Sequence, residues 1–338
     1  MLKFTIKSTE GKARRGELKL NHGTIQTPEL MAVATRATVR ALSVEDLEEI
    51  GVQLLVANTY HLMLRPGHDI VKELGGVNKF MNWNRPIVTD SGGFQAFSLG
   101  LGQEHAVGKM YFPGEGENLK KREGRESIVK IGNKGIKFRS TYDNSHQMLT
   151  PIDSIKRQHA IGSDVILVLD ECTSPLSDKE YTSKSLDRTN RWAKECLDYH
   201  KSSGSDQAIA GIIQGGVWED LRKKSAKYIA SLDFDYIAIG GSLGKSKEEM
   251  HQILDWTISE LPEEKPRHLL GIGVVEDIFE AVDRGVDLFD CVSPTRIARN
   301  RYAYVRPPLG TKKNKFRYKL TAKFERDEEG LDPNCNCK

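Results

Sequence analysis

Long apolar runs are missing from this sequence of 338 residues, and cysteine is scarce. No apolar stretch approaches the roughly 18–20 residues that a membrane-spanning helix needs, and the first residues lack the apolar core of a signal peptide. The five cysteines form no pattern typical of a secreted disulfide framework; they are Cys172, Cys196, Cys291, Cys335 and Cys337. These absences argue against an integral membrane protein and a disulfide-rich secreted domain, and they predict a cytoplasmic protein.

Positive charge is concentrated in one segment although the net charge is only +3. Between Arg296 and Arg326 the chain has eleven lysines or arginines and a single acid, Glu325. Five aromatic side chains are interleaved with them: Tyr302, Tyr304, Phe316, Tyr318 and Phe324. Cations bind phosphates and flat rings stack on bases, so the pattern favours a nucleic-acid surface. A solvated basic face is the alternative interpretation.

Short aliphatic runs alternate with amphipathic helical patterns, which is typical of a parallel sheet covered on both faces. Eight such units indicate a closed (β/α)8 barrel, an α/β fold, rather than an open sheet. The predicted strands are 29–34, 53–57, 87–89, 165–169, 208–213, 236–239, 268–271 and 286–290. Predicted helices between them include 43–50, 184–199, 219–232, 247–261 and 276–284, with Ser43 and Asp46 forming an N-terminal capping pair.

Three regions follow from this pattern. Residues 1–26 are predicted to form a β-rich extension that covers the bottom or side of the barrel, and residues 27–300 form the barrel. Residues 100–134 are predicted to be a long irregular insertion within it. Residues 301–338 form a basic C-terminal segment.

Polar residues follow the predicted strands at the points where the strands end. Asp90, Asp170, Gln214 and Asp290 lie there, together with several glycines. The C-terminal strand ends of a (β/α)8 barrel form its active-site face. The pattern therefore predicts a site with paired carboxylates, a combination suited to glycosyl transfer.

Seven ordered segments resemble the tRNA-guanine transglycosylase family and cover the chain from about residue 14 onward. They are NTYHLMLRPG at 58–67, TDSGGFQ at 89–95, LDECT at 169–173, GIIQGG at 211–216, FDC at 289–291, PTR at 294–296 and LDPNC at 331–335. The resemblance implies the barrel fold, and it implies an enzyme that exchanges guanine at the tRNA wobble position for a 7-deazaguanine. By resemblance, Asp290 is the nucleophile that forms a covalent ribosyl ester, and Asp90 is the general acid and base.

The resemblance also implies two groups of binding residues. The substrate base would be held by Ser91, Gly92, Gly93, Phe94, Asp170, Gln214 and Gly241, with Phe94 stacking on it. The RNA around the wobble base would be held by Gly271, Ile272, Gly273, Val274, Val275, Glu276, Asp277, Thr295, Arg296, Ile297, Ala298 and Arg299. Tyr60 and His61 are predicted to support the mouth of the barrel rather than to act in catalysis.

The sequence departs from the family at two functional places. The family binds a structural zinc ion through three cysteines and a histidine, whereas only Cys335 and Cys337 match here, so a partial zinc site and a truncated chain are expected. The full-length family also implies a homodimer. In the loop that follows the sixth predicted strand, Lys245 replaces an expected glutamate, which leaves open which deazaguanine is inserted.

Three alternatives remain at this stage. The chain could be a non-catalytic partner subunit, a related transglycosylase that acts on DNA, or a generic barrel glycosidase. Retention of Asp90 and Asp290 argues against the first. The arginine-rich segment and the lack of an identifiable aromatic sugar platform argue against the last.

Overall fold

The computed structural model describes residues 2–95, 129–326 and 331. The strands of these described residues are, in chain order, β1 (Lys3–Glu10), β2 (Ala13–Leu20), β3 (Gly23–Thr27), β4 (Glu29–Ala34), β5 (Leu55–Ala57), β6 (Ile87–Thr89), β7 (Val129–Gly132), β8 (Gly135–Arg139), β9 (His146–Leu149), β10 (Val165–Leu167), β11 (Ala208–Ile213), β12 (Tyr236–Ile239), β13 (Arg267–Leu269), β14 (Leu288–Asp290), β15 (Tyr302–Tyr304) and β16 (Arg317–Lys319).

The helices of the same residues mostly alternate with the strands. They are α1 (Val44–Glu49), α2 (Thr59–Leu64), α3 (His68–Glu73), α4 (Val77–Met81), α5 (Pro151–Ile161), α6 (Lys179–Ser203), α7 (Glu219–Ser231), α8 (Lys247–Ile258), α9 (Val275–Val282) and α10 (Ser293–Ala298), with a short 3-10 helix at Ala322–Phe324. The predicted capping box of α1 is confirmed, since Ser43 and Asp46 bind each other's backbone N–H groups.

Eight parallel strands close into a barrel in the order β10-β11-β12-β13-β14-β4-β5-β6, which confirms the predicted (β/α)8 fold. The barrel closes where β14 pairs with β4 and Asp290 lies opposite Met31. Four strands match the predicted bounds, and the other four are shorter or shifted. Beyond β10, for example, Val168 and Leu169 remain fully buried. Val168 also donates its backbone N–H to the Ala210 carbonyl of β11 at 3.1 Å, so hydrogen bonding to the neighbouring strand continues one residue past the end of β10.

The N-terminal sheet β1-β2-β3 covers the end of the barrel opposite the predicted site. Leu18 and Ile25 belong to the same hydrophobic core as Met31 of the barrel. The Arg14 guanidinium donates to both carboxylate oxygens of Asp287, at 2.9 and 2.5 Å, and both side chains are buried. Since Asp287 directly precedes β14, this ion pair attaches the sheet to the start of a barrel strand.

The prediction that residues 100–134 are irregular was wrong for residues 129–132, which form strand β7. Strand β7 pairs antiparallel with β8, and β8 pairs with β9, so a three-stranded sheet begins at Val129. Alternating apolar side chains on either side of the Asn133–Lys134 turn stabilise this hairpin, a pattern that favours strands over irregular chain. Residues 100–128 of the predicted insertion lie outside the described residues.

Candidate active site

Asp90 lies directly after β6 and is held by four hydrogen-bond donors. Its Oδ1 accepts from the backbone N–H groups of Thr59 and Gly92, each at 3.0 Å. Its Oδ2 accepts from the side-chain amides of Asn58 and, at 2.8 Å, Gln95. Burial raises the pKa of Asp90, and it outweighs the opposing effect of the four donors. The carboxyl is thus fixed in orientation and favoured in its protonated form more than an exposed aspartate would be.

Asp290 is the last residue of β14 and has different surroundings. Its Oδ1 accepts from the His268 ring Nε2 at 2.9 Å and from the Gly271 backbone N–H at 3.0 Å. Its side chain is 21% exposed, whereas the His268 side chain is 1% exposed. Both aspartates are partly exposed, but Asp90 accepts from four donors through both oxygens, whereas Oδ1 of Asp290 accepts from a buried imidazole and a backbone N–H.

Asp90 and Asp290 line the same cavity, which has a volume of about 510 Å³. The cavity brings together most of the predicted strand-end residues. Its wall includes Asp90, Ser91, Phe94, Asp170, Gly241, Gly271, Asp290 and Arg296. It also includes Asn58, His61, Gln95 and His268, of which sequence reasoning identified only His61, and then as a structural residue.

Gln214 contacts the cavity wall through Asp170. Its side-chain Nε2 donates to the buried Asp170 carboxylate at 2.6 Å. Gly241 lies against this amide at a φ of +83°, and a Cβ there would be 2.2 Å from Gln214 Oε1. Only glycine fits this position, which leaves the backbone of Gly241 accessible to a ligand.

Arg222 of α7 lies beneath this part of the wall and was missed by sequence reasoning. It is fully buried, and its guanidinium donates to the carbonyl oxygens of Gly216, Gly240 and Ser242 at 2.7–2.8 Å. Burial lowers the pKa of Arg222 to about 10. The sequence did contain one signal for this role, because Arg222 falls on the apolar face of an amphipathic helix.

Gly92 and Gly93 form the turn beneath the predicted base position. Gly92 has a φ of +81°, and a Cβ on Gly93 would be 2.9 Å from a methyl carbon of Leu169. Tyr60 is buried and packs against Phe138 of β8, as expected for a residue that supports the barrel mouth.

The predicted RNA-binding residues divide into two groups. Gly271 lies in the cavity wall, but the Glu276 and Asp277 carboxylates pair with Lys247 at 2.5 and 3.0 Å. Those two side chains are therefore engaged within the protein. Arg296 and Arg299, by contrast, are exposed on or after α10, and Arg296 reaches the cavity.

The basic segment after α10 contains the antiparallel hairpin β15-β16. Tyr304 of this hairpin donates through its hydroxyl to the Gly273 carbonyl at 3.5 Å, and Arg317 donates to the Ser293 hydroxyl at 3.4 Å. Lys319 lies over the Tyr302 ring at 5.9 Å. These contacts place cations and aromatic rings beside the mouth of the cavity.

Among residues 2–95, 129–326 and 331, no cluster of three or more His, Cys, Asp or Glu side chains is arranged to hold a metal ion. Cys335 and Cys337 lie outside these residues, so the partial zinc site stays a prediction. No helix within the same ranges is long and apolar enough to cross a membrane.

Comparison with known proteins agrees with the geometry. A family model described as queuine tRNA-ribosyltransferase matches residues 8–338. A protein of Archaeoglobus fulgidus is 49% identical over 99% of this chain and 85% of its own length. Proteins of Natranaerobius thermophilus and Acinetobacter baylyi, both named queuine tRNA-ribosyltransferase, are 44% and 42% identical over 98% and 99% of the chain, and over 80% and 79% of their own lengths. The chain belongs to the queuine tRNA-ribosyltransferase family, a family of pentosyltransferase enzymes.

Proposed function

We propose that this protein is a tRNA-guanine transglycosylase that exchanges guanine at the anticodon wobble position for a 7-deazaguanine. The observation that carries the proposal is the pair Asp90 and Asp290, two strand-end carboxylates in different surroundings that line one cavity. Glycosyl transfer commonly uses two carboxyl groups with separate roles, one as nucleophile and one as acid and base.

Asp290 is suited to the role of nucleophile because its side chain is partly open to the cavity and anchored at one oxygen. Attack on the ribose C1′ forms an ester, and the C1′–N bond breaks with its electron pair passing to guanine. Asp90 gives the leaving guanine a proton. Burial raises the pKa of Asp90, which favours the protonated form that a proton donor needs. The incoming base reverses both steps.

The Asp170–Gln214 pair and the Gly241 backbone are suited to reading the base edge. A guanine-type edge offers N–H donors at N1 and the 2-amino group and an acceptor at O6. Asp170 accepts from the donors. Gln214 has two amide hydrogens, so it donates one to Asp170 and the other to O6. The base must be turned out of the anticodon stack to reach this cavity.

The RNA partner is supported by the exposed arginines and the β15-β16 hairpin beside the cavity mouth. Arg296 and Arg299 would bind phosphates, which sets register rather than sequence. We extend the proposal to a cytoplasmic location, to a homodimer for the full-length form, and to a partial zinc site at Cys335 and Cys337.

Exchange of labelled guanine tests the proposal. Wild-type protein should incorporate labelled guanine into tRNA and should form a covalent RNA adduct with a slowly reacting base analogue. Asp290→Asn should lower exchange by at least about a thousandfold, because the nucleophile is lost. Asp283→Asn, which changes an exposed aspartate at the C-terminal end of α9, is the matched control. Near-normal turnover of Asp290→Asn would contradict the proposal, and exchange with DNA but not tRNA would favour the DNA-acting alternative.

A further inference from the structure

The nucleophile Asp290 is bound at one oxygen by two donors of different origin. His268 of β13 donates from Nε2 at 2.9 Å, and the Gly271 backbone N–H donates at 3.0 Å, both to Oδ1. Attack through Oδ1 would displace these bonds, whereas attack through Oδ2 leaves both in place. Attack through Oδ2 is therefore the route that keeps both Oδ1 hydrogen bonds.

The surroundings of His268 determine which ring nitrogen faces Asp290. It is fully buried, and the Tyr236 ring lies edge-on to it with centroids 5.8 Å apart. Nε2 must carry a hydrogen, because a carboxylate oxygen only accepts. Nδ1 is buried without a hydrogen-bond partner among the described residues. The hydrogen on Nε2 therefore points to Oδ1 of Asp290.

The same two donors act differently on the two states of Asp290. In the free enzyme they bind a carboxylate oxygen that carries negative charge. In the ester, Oδ1 becomes a neutral carbonyl oxygen, which is a weaker acceptor. The donors therefore favour the free carboxylate over the ester, as an anion-binding pair does for a developing oxyanion.

We propose that His268 is a positioning residue that makes Asp290 a good leaving group when the ribosyl ester is broken by the incoming base. This inference rests on the proposed function. In the first half-reaction an Oδ2 electron pair forms the O–C1′ bond, and guanine leaves with the former C1′–N pair and a proton from Asp90. In the second, the incoming base gives a proton to Asp90 and forms the new N–C1′ bond. The O–C1′ pair then returns to Asp290, where the His268 and Gly271 donors stabilise the charge.

Three variants separate the donor from the packing of the ring. His268→Phe keeps an aromatic ring and removes the N–H group, and His268→Gln keeps a side-chain N–H donor. Tyr236→Phe keeps the ring that lies edge-on to His268 and removes a buried hydroxyl that has no hydrogen-bond partner among the described residues. Thermal unfolding and circular dichroism establish that each variant is folded.

Two quantities are measured for each variant: the fraction of enzyme bound covalently to tRNA, and the turnover rate. Enzyme mixed with tRNA is quenched in denaturant to measure the fraction bound covalently. Excess labelled guanine is then added to the preformed adduct to follow its breakdown. His268→Phe should raise the adduct fraction and slow breakdown by about tenfold to a hundredfold, the effect of losing a hydrogen bond to a charged group. His268→Gln should restore most of the rate, and Tyr236→Phe should match wild type.

Two results would overturn this inference while leaving the proposed function intact. One is a folded His268→Phe variant with wild-type adduct fraction and breakdown rate. The other is a His268→Gln variant as slow as His268→Phe, which would assign the effect to ring shape rather than to the donor. A wild-type enzyme that exchanges no guanine would instead overturn the proposed function, and this inference with it.

Discussion

At the residue scale, the position of a carboxyl group determines its chemistry. Asp90 and Asp290 are the same residue type at two strand ends. Asp90 accepts from four donors through both of its carboxylate oxygens, whereas Oδ1 of Asp290 accepts from His268 and Gly271. Desolvation favours the neutral form of the first, and charge-stabilising contacts act on the second. This asymmetry allows one carboxyl to hold a proton while the other attacks.

Glu29 provides a test of desolvation away from the active site. It opens β4 at the bottom of the barrel, where Gln53 donates to it at 2.6 Å. Burial raises the pKa of Glu29 from 4.5 to about 7. The folded state therefore binds the proton more tightly than the unfolded state does. The free energy of unfolding should fall as pH rises from about 4.5 to 7, by at most about 3 kcal/mol.

Glu29→Gln should remove this loss of stability at high pH, because glutamine does not ionise. The variant should be more stable than wild type at pH 8 and similar to it at pH 4, as measured by urea unfolding. Glu10→Gln, at an exposed position of β1, controls for the loss of one negative charge. An equal gain at both pH values would show that the carboxyl group of Glu29 is not protonated preferentially in the folded state.

At the scale of elements, helix α7 is attached to the loops that follow β11 and β12. Arg222 makes this link through three carbonyl oxygens, those of Gly216, Gly240 and Ser242. The Gly240 carbonyl and the Gly241 N–H belong to one peptide group and point in opposite directions. By binding the carbonyl, Arg222 fixes the direction of an N–H in the cavity wall.

Replacement of Arg222 should therefore affect both stability and base affinity. Arg222→Met leaves three buried carbonyls without donors, and the free energy of unfolding should fall by at least about 2 kcal/mol. Arg222→Lys should recover only part of the lost stability, because an ammonium group lacks the planar set of N–H donors of a guanidinium. The KM for guanine should rise more than the KM for tRNA. A variant with unchanged unfolding and unchanged KM for guanine would contradict this role.

The N-terminal sheet and the barrel are joined by Arg14 and Asp287. Arg14 also donates to the Glu263 and Lys265 carbonyls at 2.5 and 2.8 Å, so its guanidinium spans two segments. Arg14→Met should lower the free energy of unfolding by about 3–5 kcal/mol, because it leaves a buried carboxylate without its partner. Adding Asp287→Asn should recover part of that loss.

Urea unfolding measures these differences, and Arg15→Met is the matched control at an exposed neighbouring position. If Arg14→Met and Arg15→Met lost equal stability, the buried ion pair would not be what joins the sheet to the barrel.

At the scale of the whole molecule, the cavity and the basic segment lie at the same end of the barrel. Binding of tRNA should therefore depend strongly on salt, since each neutralised phosphate releases counterions. Replacing Arg296 and Arg299 by alanine should lower the slope of log K against log salt by about 1.4, the contribution of two phosphates of single-stranded RNA.

Filter binding between low and moderate salt measures this slope. Alanine at Lys3 and Lys19, which are exposed partners in the β1-β2 sheet at the opposite end, should leave it unchanged. If the lysine replacements lowered the slope more than the arginine replacements did, the RNA would bind at the opposite end of the barrel, and the prediction would be contradicted.

The sequence by itself determined the barrel and the strand ends that form the site. Apolar runs and helical periods are local patterns, so eight alternating units predict a parallel barrel, and polar residues directly after strands predict its active face. The same local patterns placed Asp90, Asp170 and Asp290 at one mouth. They missed β7 because a short alternating strand after a glycine-rich and lysine-rich stretch is a weak signal.

The tertiary structure alone decided which distant groups meet. His268 reaches Asp290 because β13 pairs with β14, and Arg222 reaches Gly240 and Ser242 because α7 packs beside the loop that follows β12. A histidine within a buried strand and an arginine on a buried helix face have no partner that spacing alone could name. The raised pKa of Asp90 likewise depends on enclosure by several segments. Local sequence sets which elements form, whereas desolvation and hydrogen bonding between elements depend on how they pack.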